Sequence, residues 1–382
     1  MKTPFAPACL LMIFFACCGA AHGEKKSAED KAYEGVVALM DAGKDAEAEK
    51  AAQALVAEWT QKFGAEDKKT LNARLLQGQA ITCQNGRSAE AEAFLRKLQP
   101  AMAKVFGAEH PRTLNCQNSI GAALDAQGKD AEAEKLLRGL IPVEERVLGA
   151  EDQLTLQSRS NYVKALWRLG KVKEAERECR VLLPRLEHAL GPDDRLAAEV
   201  GMMLAEILTK QGRHAEAETQ TRAALPHVAK AFGKESLETL SAKAELMEAL
   251  SDQAKYAEAE KECRSLILLR TRVLGATDRA TLRARRRLVS FLRDQEKLAE
   301  AEKECRAVLP ACEHALGAED PDTLSACHSL AKCLAAQNKI SDALSHARRA
   351  LEGRKKVLGR SHADTRASQA LCDELVKTEA KA

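Results

Sequence analysis

Seven segments of this chain open on the same two-residue pattern at one fixed interval. Phe106-Gly107, Leu148-Gly149, Leu190-Gly191, Phe232-Gly233, Leu274-Gly275, Leu316-Gly317 and Leu358-Gly359 start 42 residues apart. An eighth start, Phe63-Gly64, lies 43 residues before Phe106, so one residue is inserted between Phe63 and Gly86. Counting 42 back from Phe63 reaches Ala21, which places a further start near residue 21. A sequence with this period is one supersecondary unit used repeatedly, and such a unit buries its apolar face only against its neighbours. The expected body is a stack with a continuous interior, not a globule around one core.

Each unit reads as two helices. Four residues after each start stands Asp67, His110, Asp152, Asp194, Ser236, Asp278, Asp320 or His362. Most of these are residue types that accept from the unpaired amides of a first helical turn, so helix A of each unit begins there. Pro111 and Pro321 follow their caps directly, where a missing amide costs nothing, and Thr-Leu recurs at 70/71, 113/114, 155/156, 239/240, 281/282 and 323/324. Helix A ends at Gly43, Gly86, Gly128, Gly170 or Gly212, with Ala254, Glu296 and Asn338 at the same place later on. Helix B follows on Ala-Glu-Ala-Glu, at 46-49, 89-92, 131-134, 215-218, 257-260 and 299-302. Carboxylates that recur in nearly every unit belong to the scaffold, not to an active site. The composition agrees: 30% charged and 3% aromatic residues describe helices packed through small and aliphatic side chains. A formal charge of +3 is too small to point to nucleic acid or a membrane surface, so any electrostatic role is local.

The run Leu-Gly-Ala-Glu-Asp-Pro-Asp-Thr-Leu at 316-324, with Ser329-Leu330-Ala331, Asp342-Ala343 and Ala350-Leu351 after it, resembles the 42-residue tetratricopeptide unit of kinesin light chains and their bacterial relatives. The resemblance covers about 24-378. It implies an all-α, right-handed superhelical solenoid of helical hairpins, with a concave groove lined mainly by the A helices where a protein or peptide lies. The repeated helix-A Asn of that family is matched by Asn118, while the corresponding positions elsewhere are Ser160, Met202, Ala244, Arg286 and His328. The usual helix-B aromatic is matched by Phe94 and replaced by Leu137, Cys179, Thr221, Cys263, Cys305 and Ala347.

The ends read differently. Lys2, the apolar run from Ala8 to Cys18 and the small residues Gly19, Ala20, Ala21 and Gly23 have the order of a secretory signal peptide over 1-23. The run is too short to span a bilayer, and no later segment is apolar enough to do so. The expected location is therefore exported, periplasmic or secreted. Phe14-Phe15-Ala16-Cys17 offers an alternative, a lipoprotein anchored through Cys17. The solenoid is expected over 24-378, with a frayed tail at 379-382.

Candidate partner-binding residues come from the A helices. Arg279, Arg283, Arg285, Arg286, Arg287 and Arg293 crowd the seventh unit. By register Arg283, Arg286 and Arg293 face the groove, where an acidic or carboxylate-bearing partner can pair with them. Lys164, Trp167 and Arg168 take similar positions three units earlier, and Asn118 completes the set. A second reading makes the chain a metal- or redox-responsive binder, using Cys305, Cys312, Cys327, Cys333 and His328 in the cysteine-rich units near 300-335. The copies in one register, Cys179, Cys263 and Cys305, are expected to be core fillers. Pro100, Pro142, Pro184, Pro226 and Pro310 share a register inside helix B, which implies a regular bend that sets the curvature of the stack, with a hinge as the functional alternative. No phosphate-binding loop, His-Glu-x-x-His or nucleophile elbow occurs, so the expectation is a scaffold without catalysis or cofactor.

Overall fold

A computed structural model describes residues 27-380, and among them it contains α-helices and turns but no strand. The expected signal segment, Cys17 included, and the last two residues of the tail lie outside the described residues. The chain divides into two compact units, 1-207 and 208-382. The first holds α1 (Ala28–Asp41), α2 (Asp45–Phe63), α3 (Lys68–Cys83), α4 (Ser88–Phe106), α5 (Pro111–Ala126), α6 (Asp130–Val147), α7 (Gln153–Arg168), α8 (Val172–Leu190) and most of α9 (Arg195–Lys210). The second holds α10 (His214–Ala231), α11 (Leu237–Asp252), α12 (Tyr256–Val273), α13 (Arg279–Asp294), α14 (Leu298–Leu316), α15 (Pro321–Ala336), α16 (Ile340–Leu358) and α17 (Ala363–Glu379). From α1 to α8, and again from α10 to α17, each helix packs on the next in sequence, and alternate helices such as α5 and α7, or α13 and α15, also touch. This is the stack of hairpins that the period requires.

Local chemistry sets the helix boundaries. The carboxylates of Asp67, Asp152, Asp194, Asp278 and Asp320 each accept from an amide two residues on, and Ser236 Oγ accepts from Thr239 N. His110 and His362 cap through Nδ1, accepting from Arg112 N at 3.1 Å and Asp364 N at 3.2 Å. Burial, helped by Arg112 and Lys68, pushes the His110 imidazole below its ordinary range, which keeps the accepting lone pair free. Pro111 and Pro321 stand in the first turns of α5 and α15. Thr113 and Thr239 fold back to the carbonyls of Gly107 and Gly233, both at 2.8 Å, and so tie helix A to the preceding turn.

Between helix A and helix B a residue with positive φ closes each turn. Downstream of it Lys129 N reaches Leu124 O at 3.0 Å, and Lys171, Arg213, Lys255, Lys297 and Lys339 repeat the bond. Ala254, Glu296 and Asn338 adopt φ of 58°, 60° and 60° where the earlier units have Gly. A side chain there costs roughly 1 kcal/mol, least for Asn. Glu296→Gly should therefore stabilise the second unit by about 0.5–1 kcal/mol in urea denaturation, and Asn338→Gly by less.

The turn between α3 and α4 departs from the pattern, because Arg87 N bonds Gln84 O instead. Gln84 precedes Gln127 by 43 residues and Gly86 precedes Gly128 by 42, so the inserted residue is Asn85. From Gly86 onward the register is 42, and Leu95, not Phe94, corresponds to Leu137. Leu95 and Leu137 are both 0% exposed, while Phe94 packs only partly buried beside its cluster. The family aromatic is therefore missing from α4 as well.

The Ala-Glu-Ala-Glu carboxylates are inter-repeat staples. Glu92 on α4 receives Gln127 Nε2 and Lys129 Nζ from the end of α5, both at 2.8 Å. Glu218 receives Gln253 and Lys255, and Glu260 receives Gln295 and Lys297, in the same way. Each of these Gln side chains also donates to the first carbonyl of the preceding helix B, at Ser88, His214 or Tyr256. The recurrent prolines lie on the exposed side of α4, α6, α8, α10 and α14, and those helices run on through them. The carbonyls they leave without an amide belong to Arg96, Arg138, Arg180, Arg222 and Arg306, all exposed residues, so solvent can satisfy them.

Candidate partner-binding surface

Six arginines on α13 do not present six free charges. Asp322, in the first turn of α15, is 9% exposed and gathers three of them. Arg279 Nη1 approaches Asp322 Oδ2 at 2.7 Å, Arg283 Nε donates at 2.9 Å, and Arg286 Nη2 lies 3.5 Å from Oδ1. Arg279 also reaches Asp320 at 2.8 Å. Burial would raise the Asp322 carboxyl, but Arg283, Arg286 and Arg279 outweigh it and hold it below the usual carboxylate range. Arg285 pairs with Glu304, Arg287 with Glu248, and Arg293 with its own neighbour Asp294.

A positive excess survives this pairing. Three guanidiniums share Asp320 and Asp322, and the Arg283 side chain remains 56% exposed. Behind them Arg354 of α16 is 4% exposed, and among the described residues no carboxylate lies within ion-pair distance of it. It donates instead to Ser368 Oγ at 2.7 Å, to Ser325 Oγ at 3.0 Å and to the Asp364 carbonyl at 3.0 Å. Ser325 lies one helical turn beyond Asp322 on α15, and Arg354 acts electrostatically on Arg286. His328, on the next turn, is pushed down to about 4 by burial and by Arg354 and Lys332, so it is neutral at neutral pH.

In the first unit the expected cations are more fully matched. Lys164 Nζ pairs with Glu199 at 2.9 Å, and Arg168 Nη1 with Asp125 Oδ1 at 2.7 Å and the Asp125 carbonyl at 2.9 Å. Trp167 is partly exposed beside them. Asn118 corrects the sequence reading: it is 0% exposed and accepts from Asn161 Nδ2 at 3.1 Å. It joins α5 to α7 inside the stack and has no surface from which to hold a partner's backbone. Asp125, Glu199, Asp320 and Asp322 were the residues missed by sequence reasoning. Their signal was present in the spacing, since each lies 35 to 43 residues from its cation, about one repeat.

The cysteine-rich region does not assemble a ligand set. Among the described residues no group of three or more His, Cys, Asp or Glu side chains is placed to hold a metal ion. His328 Nδ1 lies 3.3 Å from Ser368 Oγ instead. Cys305 and Cys333 do come together, with sulfurs 3.8 Å apart. Cys179 and Cys263 are 0% exposed core residues, as their register suggests. Among the described residues no helix is long and apolar enough to cross a membrane.

A tetratricopeptide repeat profile matches residues 79–143 and 281–356, and a second tetratricopeptide repeat profile matches 198–223. No curated protein matches the chain. Among solved structures, the apo form of RapI superposes with a TM-score of 0.63 at 9% identity, over 93% of this chain and 99% of RapI. A Rap protein gives a TM-score of 0.51 at 12% identity, over 92% of this chain and 99% of its own. BtubC of P. vanneervenii gives 0.49 at 19% identity, over 61% and 91%. At such identities the likeness to RapI and to the Rap protein speaks to the fold. The profile matches fall on helical hairpins in both units. The chain is a tetratricopeptide repeat protein of the 42-residue type that resembles kinesin light chains.

Proposed function

We propose that the chain is a non-catalytic binding scaffold that docks an acidic protein or peptide segment on the face formed by Arg279, Arg283 and Arg286. The observation that carries this reading is the unequal pairing at Asp322, where three guanidiniums meet two carboxylates and Arg283 stays more than half exposed. A partner carboxylate can take the open donors of Arg283 without breaking its bond to Asp322, because a guanidinium has five N–H groups. Repeat solenoids present extended surfaces of this kind. The Rap protein of similar fold was solved in complex with a competence and sporulation factor, which is an instance of the fold holding a ligand. Lys164 and Arg168 are secondary in this reading, since each already has a carboxylate partner, and Arg293 is tied to Asp294. The signal-like residues 1-23 favour work outside the cytoplasm, as an exported protein or one anchored through Cys17.

The test uses the immobilised full-length chain and three peptide pools of equal length, rich in Asp and Glu, neutral, or rich in Lys. Acidic peptides should be retained, and retention should fall with added salt. Arg283→Glu should weaken it about tenfold or more while far-ultraviolet circular dichroism stays unchanged. Equal capture of all three pools, or acidic capture indifferent to Arg283→Glu, would remove the assignment.

A further inference from the structure

The two thiols that meet between α14 and α15 have no part in that surface. We propose that Cys305 and Cys333 form an intramolecular disulfide that ties the hairpin ending in α14 to the hairpin beginning with α15. The sulfurs are 3.8 Å apart and each lies in the shared interior, Cys305 at 3% and Cys333 at 0% exposure. Each sulfur has to move by roughly 1 Å to reach bonding distance of about 2.05 Å, which a small χ1 change supplies.

The repeat register makes the coincidence specific. Cys305 occupies the place held by Leu137, Thr221 and Cys263 in other repeats, and Cys333 the place that faces it from the next repeat. At the corresponding junctions that second place is Ala165, Ala249 or Phe291. Of these junctions, the one between α14 and α15 brings cysteine to both places. Nearby Cys312 and Cys327 are also buried, but no sulfur contact joins them.

The two thiols share one hydrogen bond that either sulfur can donate. Either can begin the exchange once local opening exposes it, and the chemistry is the same whichever leads. With Cys333 first, its thiolate attacks a small-molecule disulfide, expelling one thiolate and leaving a mixed disulfide on Cys333. Cys305 loses its proton and attacks the Cys333 sulfur, expelling the second thiolate. Two protein thiols and one external disulfide become one protein disulfide and two external thiols, so two electrons and two protons pass to the oxidant. Burial of both sulfurs requires that the exchange occur during folding or local opening. The bond then closes a loop across 28 residues and is shielded from reductant.

The full-length chain, unfolded under reducing conditions and refolded in glutathione buffers of increasing oxidised fraction, gives the test. After alkylation, peptide mass spectrometry should show a single link between the Cys305 and Cys333 peptides, in material that runs as monomer on non-reducing gels. The described cysteines other than these two should remain alkylated. The thermal midpoint of the oxidised form should exceed that of the reduced form by about 3 °C or more. That increment should vanish in Cys333→Ala. Mapping on the wild-type chain does not depend on whether the variant folds. Full alkylation of Cys305 and Cys333 after refolding in excess oxidised glutathione, or a link between other cysteines, would overturn the proposal.

Discussion

Gly121→Val should destabilise the protein by about 1–3 kcal/mol, and adding Leu137→Cys should recover most of that loss. A Cβ at Gly121 would lie 3.0 Å from Leu137 Cδ2 and 3.3 Å from its Cγ, so close that the leucine would have to give way by a few tenths of an ångström. Valine adds two methyls to the same space. The gain in helix propensity over Gly is a few tenths of a kcal/mol and does not offset the overpacking. The protein already contains the swapped arrangement, because the same two registers hold Val163 with Cys179, Met247 with Cys263 and Val289 with Cys305, all within 4% exposure. Leu137→Cys alone leaves a cavity and should itself cost about 2–4 kcal/mol. The double variant should then be more stable than the sum of the two losses by at least about 2.5 kcal/mol in a urea denaturation cycle. Additive losses would show that the two positions do not share a volume. The same argument makes the cysteines of helix B residues of convenient size, apart from the one that meets a second cysteine.

Glu144 should make the protein less stable as pH rises from about 4.5 to 8. It is 0% exposed near the end of α6, where Oε1 accepts from Ser158 Oγ at 2.9 Å and Oε2 has no partner. Burial, aided by the nearby Asp152, pushes its carboxyl up to about 8 from an ordinary 4.5, against the Ser158 hydrogen bond. In that window the folded protein keeps a proton that the unfolded chain releases, so raising the pH favours unfolding. Below 4.5 both states hold the proton, and above 8 both have lost it. Glu144→Leu, which copies Leu186 one repeat on, should stabilise the fold by about 2–4 kcal/mol at pH 8.5 and by less at pH 4.5. Glu144→Gln should flatten the dependence while keeping the bond to Ser158. Thermal midpoints of the three proteins across pH 4.5 to 8.5 provide the check, and parallel curves would refute the idea.

The acid side has the opposite sign. Burial alone would raise Glu92 and Glu260, but Lys129 with Gln127, and Lys297 with Arg264, outweigh it and hold them at about 2. Lys339 and Arg306 hold Glu302 at about 2 as well. Their contribution is complete above 4.5, where the unfolded carboxylates are ionised, and fades as pH falls toward 2. Acid unfolding should therefore begin where the inter-repeat staples protonate.

Sequence alone determined what is local. The period, the hairpin, the eight helix caps from Asp67 to His362 and the A-to-B turns each depend on residues within a few positions of one another. Backbone amides and φ angles are satisfied or violated there whatever the rest of the chain does. The positive φ at Glu296 and Ala254 was readable for the same reason, since the repeat shows Gly at that place. Side chains that act across a repeat boundary were another matter. Arg283, Arg286 and Lys164 read as free charges because their carboxylates stand about one repeat away in sequence. Asn118 read as a groove residue because burial is a property of the neighbouring helix, not of the residue. Asn85 was legible in the spacing of Gln84 and Gly86 to the next repeat, and only the altered turn bond from Arg87 N to Gln84 O needed the structure. The meeting of Cys305 with Cys333, the empty side of Glu144 and the burial of Arg354 belong to the same class. Tertiary packing decided them, because it alone sets which surfaces lose water and which charges find each other when they do.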